Sequence, residues 1–208
     1  MGSNVFGTPI TNHTLRAMPE YSDKKSITAN DRSILALEMK NAEGKDINAR
    51  NFLESLQARF GENVSTMCMI YNATGGSLTF VDAHNWTGRV CESPYPMVIL
   101  NGQWGVFLHG RYGHEEAGSE AAVVYHGINY DWLLSFSNRA DITNNRVALK
   151  IYQSGKFQST NWNTIKGSLD EGKLMHQGTR GQSFMYASIG NITKCTVEAI
   201  LTTTAAHQ

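Results

Sequence analysis

The sequence lacks the features by which many metalloproteins, secreted proteins and membrane-spanning proteins are recognised. Its 208 residues include only three cysteines, far apart and without a Cys-x-x-Cys pair, so no zinc or dithiol redox motif is present. No apolar run approaches the ~20 residues of a membrane-spanning helix, and no signal-peptide core is visible. The 18 basic and 18 acidic residues cancel, so no global field attracts nucleic acid. We therefore expect a cytoplasmic protein with unpaired thiols and no nucleic-acid partner.

Catalytic and cofactor-binding motifs are also missing. There is no Gly-x-Ser-x-Gly nucleophile elbow, and the polar segment 110–118 lacks the Lys-Ser/Thr that closes a phosphate-binding loop. Four histidines share one span of the chain without forming a His-x-His pair: His84, His109, His114 and His126. We expect no metal, no cofactor and no catalytic turnover. The alternative is an enzyme of unrecognised type, with a pocket near His84, His109 and His126.

The first 61 residues predict an arm and a helical pair. Residues 1–27 are polar and predict little regular structure. Thr28 followed by Asp31 has the pattern of a capping box, and it predicts a helix from about residue 29 to residue 43. Asp46 is the expected cap of the second helix, which Gly61 ends.

The second predicted helix carries one apolar stripe of helical period: Ala49, Phe52, Leu53, Leu56 and Phe60. Its opposite face has no excess of basic residues. We expect the stripe to dock on the rest of the protein; insertion into a membrane is the alternative.

Beyond Gly61 the period of the apolar pattern changes to two, which favours strands bounded by Gly, Asn and Pro turns. Residues 62–208 therefore predict one mainly β domain, an antiparallel β-sandwich of about eight strands. The side chains expected inside it are Val106, Leu108, Val124, Leu134, Leu149 and Val197. Residues 153–182 predict a long loop with one short strand near Trp162.

Several phrases resemble the plant 23 kDa jasmonate-induced protein family, in the same order along the chain. They are VFGTPI (5–10), GKDINARNFLESLQARFG (44–61), MIYNATGGSLTFV (69–81), SPYPMVILNGQWGVFLHG (93–110) and GSEAAVVY (118–125). The resemblance covers most of residues 1–136. It implies a cytosolic plant protein that responds to stress or jasmonate in plant defence, and it implies no particular catalytic residues.

A second resemblance, over residues 118–152, is to the actinoporin-like fold of pore-forming toxins and fungal fruit-body lectins. It rests on four short matches: Gly118-Ser119, Val123-Val124-Tyr125, Phe136-Ser137 and Lys150-Ile151-Tyr152. The toxins follow Phe-Ser with a proline and a tyrosine-rich loop that grips lipid head groups. This chain has Asn138-Arg139-Ala140-Asp141 there, so the resemblance implies the sandwich without implying toxicity.

Aromatic residues beside amides indicate a ligand-binding surface. Tryptophan rings stack on the C–H faces of sugars while neighbouring amides bind hydroxyls. Because Trp104 and Trp132 keep the apolar register of their strands, we expect both in the core. The predicted site residues are Trp86, Asn85, Trp162, Asn161, Asn163 and Tyr130.

Together these observations predict a non-catalytic, ligand-binding stress protein. Carbohydrate is the first expected ligand, in a lectin-like site whose useful affinity needs a homo-oligomer or a multivalent glycan. Another small molecule is a further partner compatible with such a site. A membrane-lipid-binding or pore-forming protein is the alternative function.

Overall fold

The computed structural model describes residues 4–111, 118–139, 144–155, 157 and 161–207. Within these residues the chain is mainly β, with two sheets and four α-helices. The helices are α1 (Asn12–Arg16), α2 (Ala29–Glu38), α3 (Lys45–Phe60) and α4 (Trp162–Asp170). The strands are β1 (Val5–Phe6), β2 (Ser65–Ala73), β3 (Leu78–Thr87), β4 (Arg89–Cys91), β5 (Val98–Ile99), β6 (Trp104–Gly110), β7 (Gly118–His126), β8 (Tyr130–Arg139), β9 (Arg146–Gln153), β10 (Met175–Arg180), β11 (Ser183–Ile189) and β12 (Lys194–Thr203). The described residues contain twelve strands instead of the expected eight. Three of them, β1, β4 and β5, are only two or three residues long, too short to be recognised in the sequence.

The larger sheet has the order β1-β6-β2-β12-β11-β10, with β4 also paired to β6, and the smaller sheet has the order β5-β3-β7-β8-β9. Among the strands of the described residues, pairing is antiparallel with one exception. Strands β2 and β12 run parallel in the middle of the larger sheet, with Ser65 opposite Lys194 and Ala73 opposite Thr202. The prediction of purely antiparallel sheets was therefore wrong at this central pair.

One apolar cluster has members from both sheets, among them Cys68 and Phe107 from the larger sheet and Tyr125 and Phe136 from the smaller. Trp132 also belongs to it, so its predicted core position is confirmed. The three cysteine thiols are buried and unpaired, as expected.

Each sheet also has a covered outer face. Helices α2 and α3 pack on the larger sheet, where Trp104 is 1% exposed. Helix α4 packs on the smaller sheet through Ile165, against Val124 and Leu133.

The six side chains expected between the sheets are all buried, but they divide among three clusters. Leu134, Leu149 and Val197 lie between the sheets. Val106 and Leu108 face the N-terminal helices, and Val124 lies under α4. Because helices cover both outer faces, strands such as β2 and β6 are buried along their whole length, and alternation cannot show which face is which.

The N-terminal region is more regular than predicted. Strand β1 pairs with β6, and the short helix α1 brings the number of α-helices before residue 61 to three rather than two. Helix α2 ends at Glu38, five residues earlier than expected, and Glu43 has a left-handed φ of 60°. Asp46 lies in the first turn of α3 instead of capping it, since Gly44 is the N-cap, while Gly61 ends the helix as predicted.

The predicted capping box of α2 is present. The Thr28 hydroxyl accepts from the Asp31 N–H at 3.2 Å, and the Asp31 carboxylate accepts from the Thr28 N–H at 2.8 Å. Replacement Thr28→Ala removes one of these bonds, and we expect it to lower the free energy of unfolding by about 1 kcal/mol. Urea titration against the exposed-turn control Ser77→Ala measures the loss; equal midpoints for the two variants would contradict it.

Residues 162–170 form α4 instead of the expected short strand. Asn161 caps the helix by accepting from the Asn163 N–H at 2.8 Å, and Ile165 and Leu169 supply its buried face. Two apolar residues one turn apart are a weak sequence pattern for a helix. The Asn and Ser residues around them favoured the prediction of a loop. Across the described ranges, no helix is both long and apolar enough to cross a bilayer.

Candidate ligand-binding site

The structure brings together two of the aromatic residues singled out from the sequence. The rings of Trp86 on β3 and Trp162 on α4 meet edge to face, with centroids 6.5 Å apart. His84 stacks on Trp162 at 5.0 Å and contacts Trp86 at 5.1 Å. This aromatic cluster (His84, Trp86, Trp162) lies on the outer face of the smaller sheet, and both indoles are half-buried.

Two of the amides expected beside these rings form hydrogen bonds within the protein. Asn85 is exposed, but its side-chain oxygen lies 2.9 Å from His109 Nε2 and accepts from the Tyr95 hydroxyl at 3.2 Å. The side-chain oxygen of Asn161 is engaged in the cap of α4. Asn161 and Asn163 remain exposed to solvent.

Tyr130 lies elsewhere. It begins β8, at the opposite end of the smaller sheet from Trp86, and its ring meets Trp132 edge to face at 6.5 Å. It lines a cleft of about 280 Å³ together with Asn30, Ile128 and Gln182. The structure therefore divides the predicted site residues between two places.

The described histidines do not converge. His84 is opposite Ala122 on β7, whereas His126 is opposite Thr79, five residues along β3 and thus about 16 Å away. His126 contacts Asp131 at 2.7 Å. In the part of the chain that the structure describes, no group of three metal-ligating side chains occurs. His114, Ala140 and Asp141 lie outside the described residues.

His109 is fully buried between the sheets. Its ring nitrogens lie 2.9 Å from Ser119 Oγ and 2.9 Å from Asn85 Oδ1. Burial lowers the pKa of this imidazole to about 3. A histidine that is inaccessible and hard to protonate is poorly placed to act as a general base on a bound substrate.

One end of the sheets gathers basic side chains. It is the end at which Thr87 pairs with Glu120, Gly118 with Arg139, and Ser65 with both Gly110 and Lys194. Among the described residues, the basic side chains at this end include Arg89, Arg111, Arg139, Arg146, Lys173 and Lys194. Lys194 is ion-paired with Glu62 at 2.8 Å, and the neighbouring Lys166 is paired with Glu120 and Asp170. We call this region the basic end. Carboxylates lie there as well, among them Glu62, Glu120 and Asp170.

A cleft of about 550 Å³ opens at the basic end, between the start of β9 and the segment after α4. Arg146 and Lys173 line it together with Asn144 and Asp170. Arg146 donates to the backbone oxygen of Asp170 at 2.7 Å, and the carboxylate of Asp170 is ion-paired with Lys166. We call it the Arg146 cleft.

Apolar side chains are exposed at the same place. Leu174 and Met175 line the Arg146 cleft and are 36% and 62% exposed. Ile192, 66% exposed, lies in the turn that Asn145 holds by donating to the Ile192 carbonyl at 3.0 Å. Cationic and apolar groups thus share one surface, an arrangement suited to the boundary between water and lipid.

Sequence reasoning missed the basic end because its six cations lie scattered between positions 89 and 194. No short motif contains more than one of them. Only the strand order, with the parallel pairing of β2 and β12, places them at one end.

Comparison with known proteins gives three consistent results. The family model described as "Nakanori-like protein" matches residues 6–204. The 23 kDa jasmonate-induced protein of Hordeum vulgare is 41% identical over 172 residues, which are 79% of this chain and 80% of that protein. A jasmonate-induced protein homolog of Atriplex canescens is 37% identical over 119 residues, 53% of this chain and 63% of that protein. The resemblance to jasmonate-induced proteins found in the sequence is confirmed.

Among solved structures, the crystal structure of the lipid-binding protein Nakanori superimposes with a TM-score of 0.89 at 28% sequence identity. The match covers 95% of this chain and 99% of that one. The similarity therefore extends over both sheets and the helices that cover them.

Proposed function

This chain belongs to the Nakanori-like protein family, and on that premise we propose that it binds lipid head groups at a membrane surface through its basic end. The observation that carries the proposal is the placement of six basic side chains and three exposed apolar ones at one end of a neutral protein. Juxtamembrane cations are attracted to anionic lipid surfaces, and apolar side chains are stabilised in the interface. The lipid-binding protein with the similar fold supports the same function.

In this proposal the Arg146 cleft takes the head group. The Arg146 guanidinium and the Lys173 ammonium would bind a phosphate, since both carry N–H donors and full charge. Met175 and Ile192 would enter the interface beside it. The apolar stripe of α3 takes no part, because Leu53, Leu56 and Phe60 are each at most 2% exposed on the larger sheet.

We also propose a biological role for the protein and a kind of β-sandwich. The jasmonate-induced relatives support a role in plant stress. We further propose that binding in this role serves recognition and not turnover. The cluster shared by the two sheets supports a sandwich, and we propose that it is of the actinoporin-like kind. The binding end would then be formed by loops on a rigid scaffold, where binding residues commonly lie.

The test is co-sedimentation with vesicles. The double replacement Arg146→Gln/Lys173→Gln is expected to weaken binding to vesicles that contain phosphatidylserine about 20- to 30-fold, since each basic residue near such a surface contributes about 1 kcal/mol. Met175→Ser should weaken binding to neutral phosphatidylcholine vesicles as well. The control Lys25→Gln/Arg50→Gln removes the same charge from exposed positions outside the basic end.

Equal losses in the two double variants would show that only net charge matters, and the Arg146 cleft would then be excluded as the site. No vesicle binding by the unmodified protein at low salt would refute lipid-surface binding altogether.

A carbohydrate ligand is the second candidate. The meeting of Trp86 and Trp162 beside the exposed amides of Asn161 and Asn163 favours it. Titration of tryptophan fluorescence with neutral oligosaccharides tests it, with Trp162→Ala as the comparison. If no glycan perturbs the emission, this candidate is refuted.

A further inference from the structure

We propose a second binding site at the basic end, in a cleft that takes a phosphorylated hydroxylated ring, either a free sugar phosphate or the head group of an inositol phospholipid. The cleft has a volume of about 360 Å³ and is lined by Trp86, Thr87, Gly88, Arg89, Gly110 and Arg111. We call it the Trp86 cleft. None of its residues lines the Arg146 cleft. The proposal rests on the proposed lipid binding only if the ring is the head group of a lipid.

A β-bulge places the aromatic wall. Asn85 pairs with Ala121 and Thr87 with Glu120, so Trp86 is an extra residue without a partner on β7. Bulges re-aim side chains and often lie next to functional sites. The indole is held from behind by Trp162 and His84, at centroid distances of 6.5 Å and 5.1 Å. These contacts hold the ring in place, and Trp86 is one of the residues that line the cleft.

Two glycines that line the cleft allow close backbone contacts, and that of Gly88 brings the strands of the cleft together. Gly88 has φ +86°, and a Cβ there would lie 2.7 Å from the Gly110 carbonyl oxygen. A Cβ on Gly110 would lie 2.8 Å from the Val64 carbonyl oxygen. Any larger residue at either position would push the backbones apart. The close approach keeps Arg89, which pairs with Gly110, beside Arg111 on the next position of the chain.

These groups define the chemistry of the ligand. Neither Arg89 nor Arg111 is without a partner in the protein, and a phosphate would share their N–H donors. A guanidinium carries five such donors, and its planar fork matches phosphate oxygens with two parallel hydrogen bonds. The indole surface favours the C–H face of a ring, and the Thr87 hydroxyl can exchange hydrogen bonds with ring hydroxyls. A volume of about 360 Å³ lies at the lower end of small-molecule sites.

The soluble test uses myo-inositol 1-phosphate and glucose 6-phosphate, with inorganic phosphate and myo-inositol as the separated halves. Isothermal titration is expected to show each ring phosphate binding at least about tenfold more tightly than either half, since charge-assisted and ring contacts add. Arg89→Gln and Trp86→Leu should each weaken this binding about tenfold or more. Arg50→Gln is the matched control.

The lipid arm compares vesicles with phosphatidylinositol 4-phosphate and vesicles with phosphatidylserine at equal surface charge. A preference for the inositol lipid that Arg89→Gln abolishes identifies the lipid-borne ring. Soluble binding without that preference identifies the free sugar phosphate. Both outcomes support the site.

Three results would overturn it. Inorganic phosphate binding as tightly as the ring phosphates would leave a simple anion site, and myo-inositol binding as tightly would leave a neutral-glycan site. If no probe binds while Arg146-dependent binding to phosphatidylserine vesicles persists, the Trp86 cleft is not a ligand site and the proposed function stands. Because Trp86 is half-buried and its replacement can disturb folding, Arg89→Gln on the surface decides the matter.

Discussion

Acidification from pH 7 to pH 5 is expected to lower the free energy of unfolding by about 2 kcal/mol through His109 alone. The pKa of this fully buried imidazole is lowered from 6.5 to about 3. The unfolded chain therefore takes up a proton as the pH falls through 6.5, while the folded protein does not until about pH 3. The stability is fully present above the unfolded pKa and is lost progressively below it, by ~1.4 kcal/mol per pH unit.

Urea unfolding at pH 7, 6 and 5 measures this loss. In the variant His109→Gln, the slope of the free energy of unfolding against pH should correspond to about one fewer proton taken up on unfolding. Nuclear magnetic resonance provides an independent measure, since the imidazole signals of His109 should keep their neutral-form shifts throughout this range. Titration of His109 in the folded protein near pH 6 would show the expectation to be wrong.

The second large effect is expected from Leu56→Ala in α3. Leu56 is 1% exposed and belongs to the cluster that joins the helices to the larger sheet. Truncating a buried leucine removes its burial and leaves a cavity, so a loss of roughly 2–5 kcal/mol in the free energy of unfolding is expected. Thermal and urea unfolding both measure it.

The same helix offers a matched control. Ile47 is 59% exposed, so Ile47→Ala should change stability little. If Leu56→Ala left the melting temperature unchanged but abolished vesicle binding, the stripe would act on membranes, and its packing on the sheet would not be the stable state.

Local chemistry made much of the fold predictable. The capping box of Thr28 and Asp31 and the stop at Gly61 need only neighbouring residues, and both were found from the sequence. Helix α4 was missed because it is nine residues long and depends on contacts with the smaller sheet. The faces of Val106 and Val124 could not be assigned, since that depends on which helix covers which sheet.

The candidate sites were harder to predict from the sequence than the fold was. The composition around Trp86 and Trp162 marked both residues, but their contact depends on α4 folding back over β3. Arg89 and Arg111 carry no pattern in the sequence and share a cleft only because β4 pairs with β6. Residue types are local information, whereas convergence is a property of topology.

The parallel pairing of β2 with β12 also determines when the larger sheet can fold during synthesis of the chain. Cys195 on β12 hydrogen-bonds Thr66 on β2, 129 residues earlier in the chain. During synthesis, the middle of the larger sheet must wait until β12 leaves the ribosome, with the edges of β2 and β11 unpaired until then. Non-local pairing of this kind slows folding and prolongs the exposure of apolar edges. The nascent chain should therefore depend on chaperones more than its modest size suggests, and refolding from denaturant should be slow.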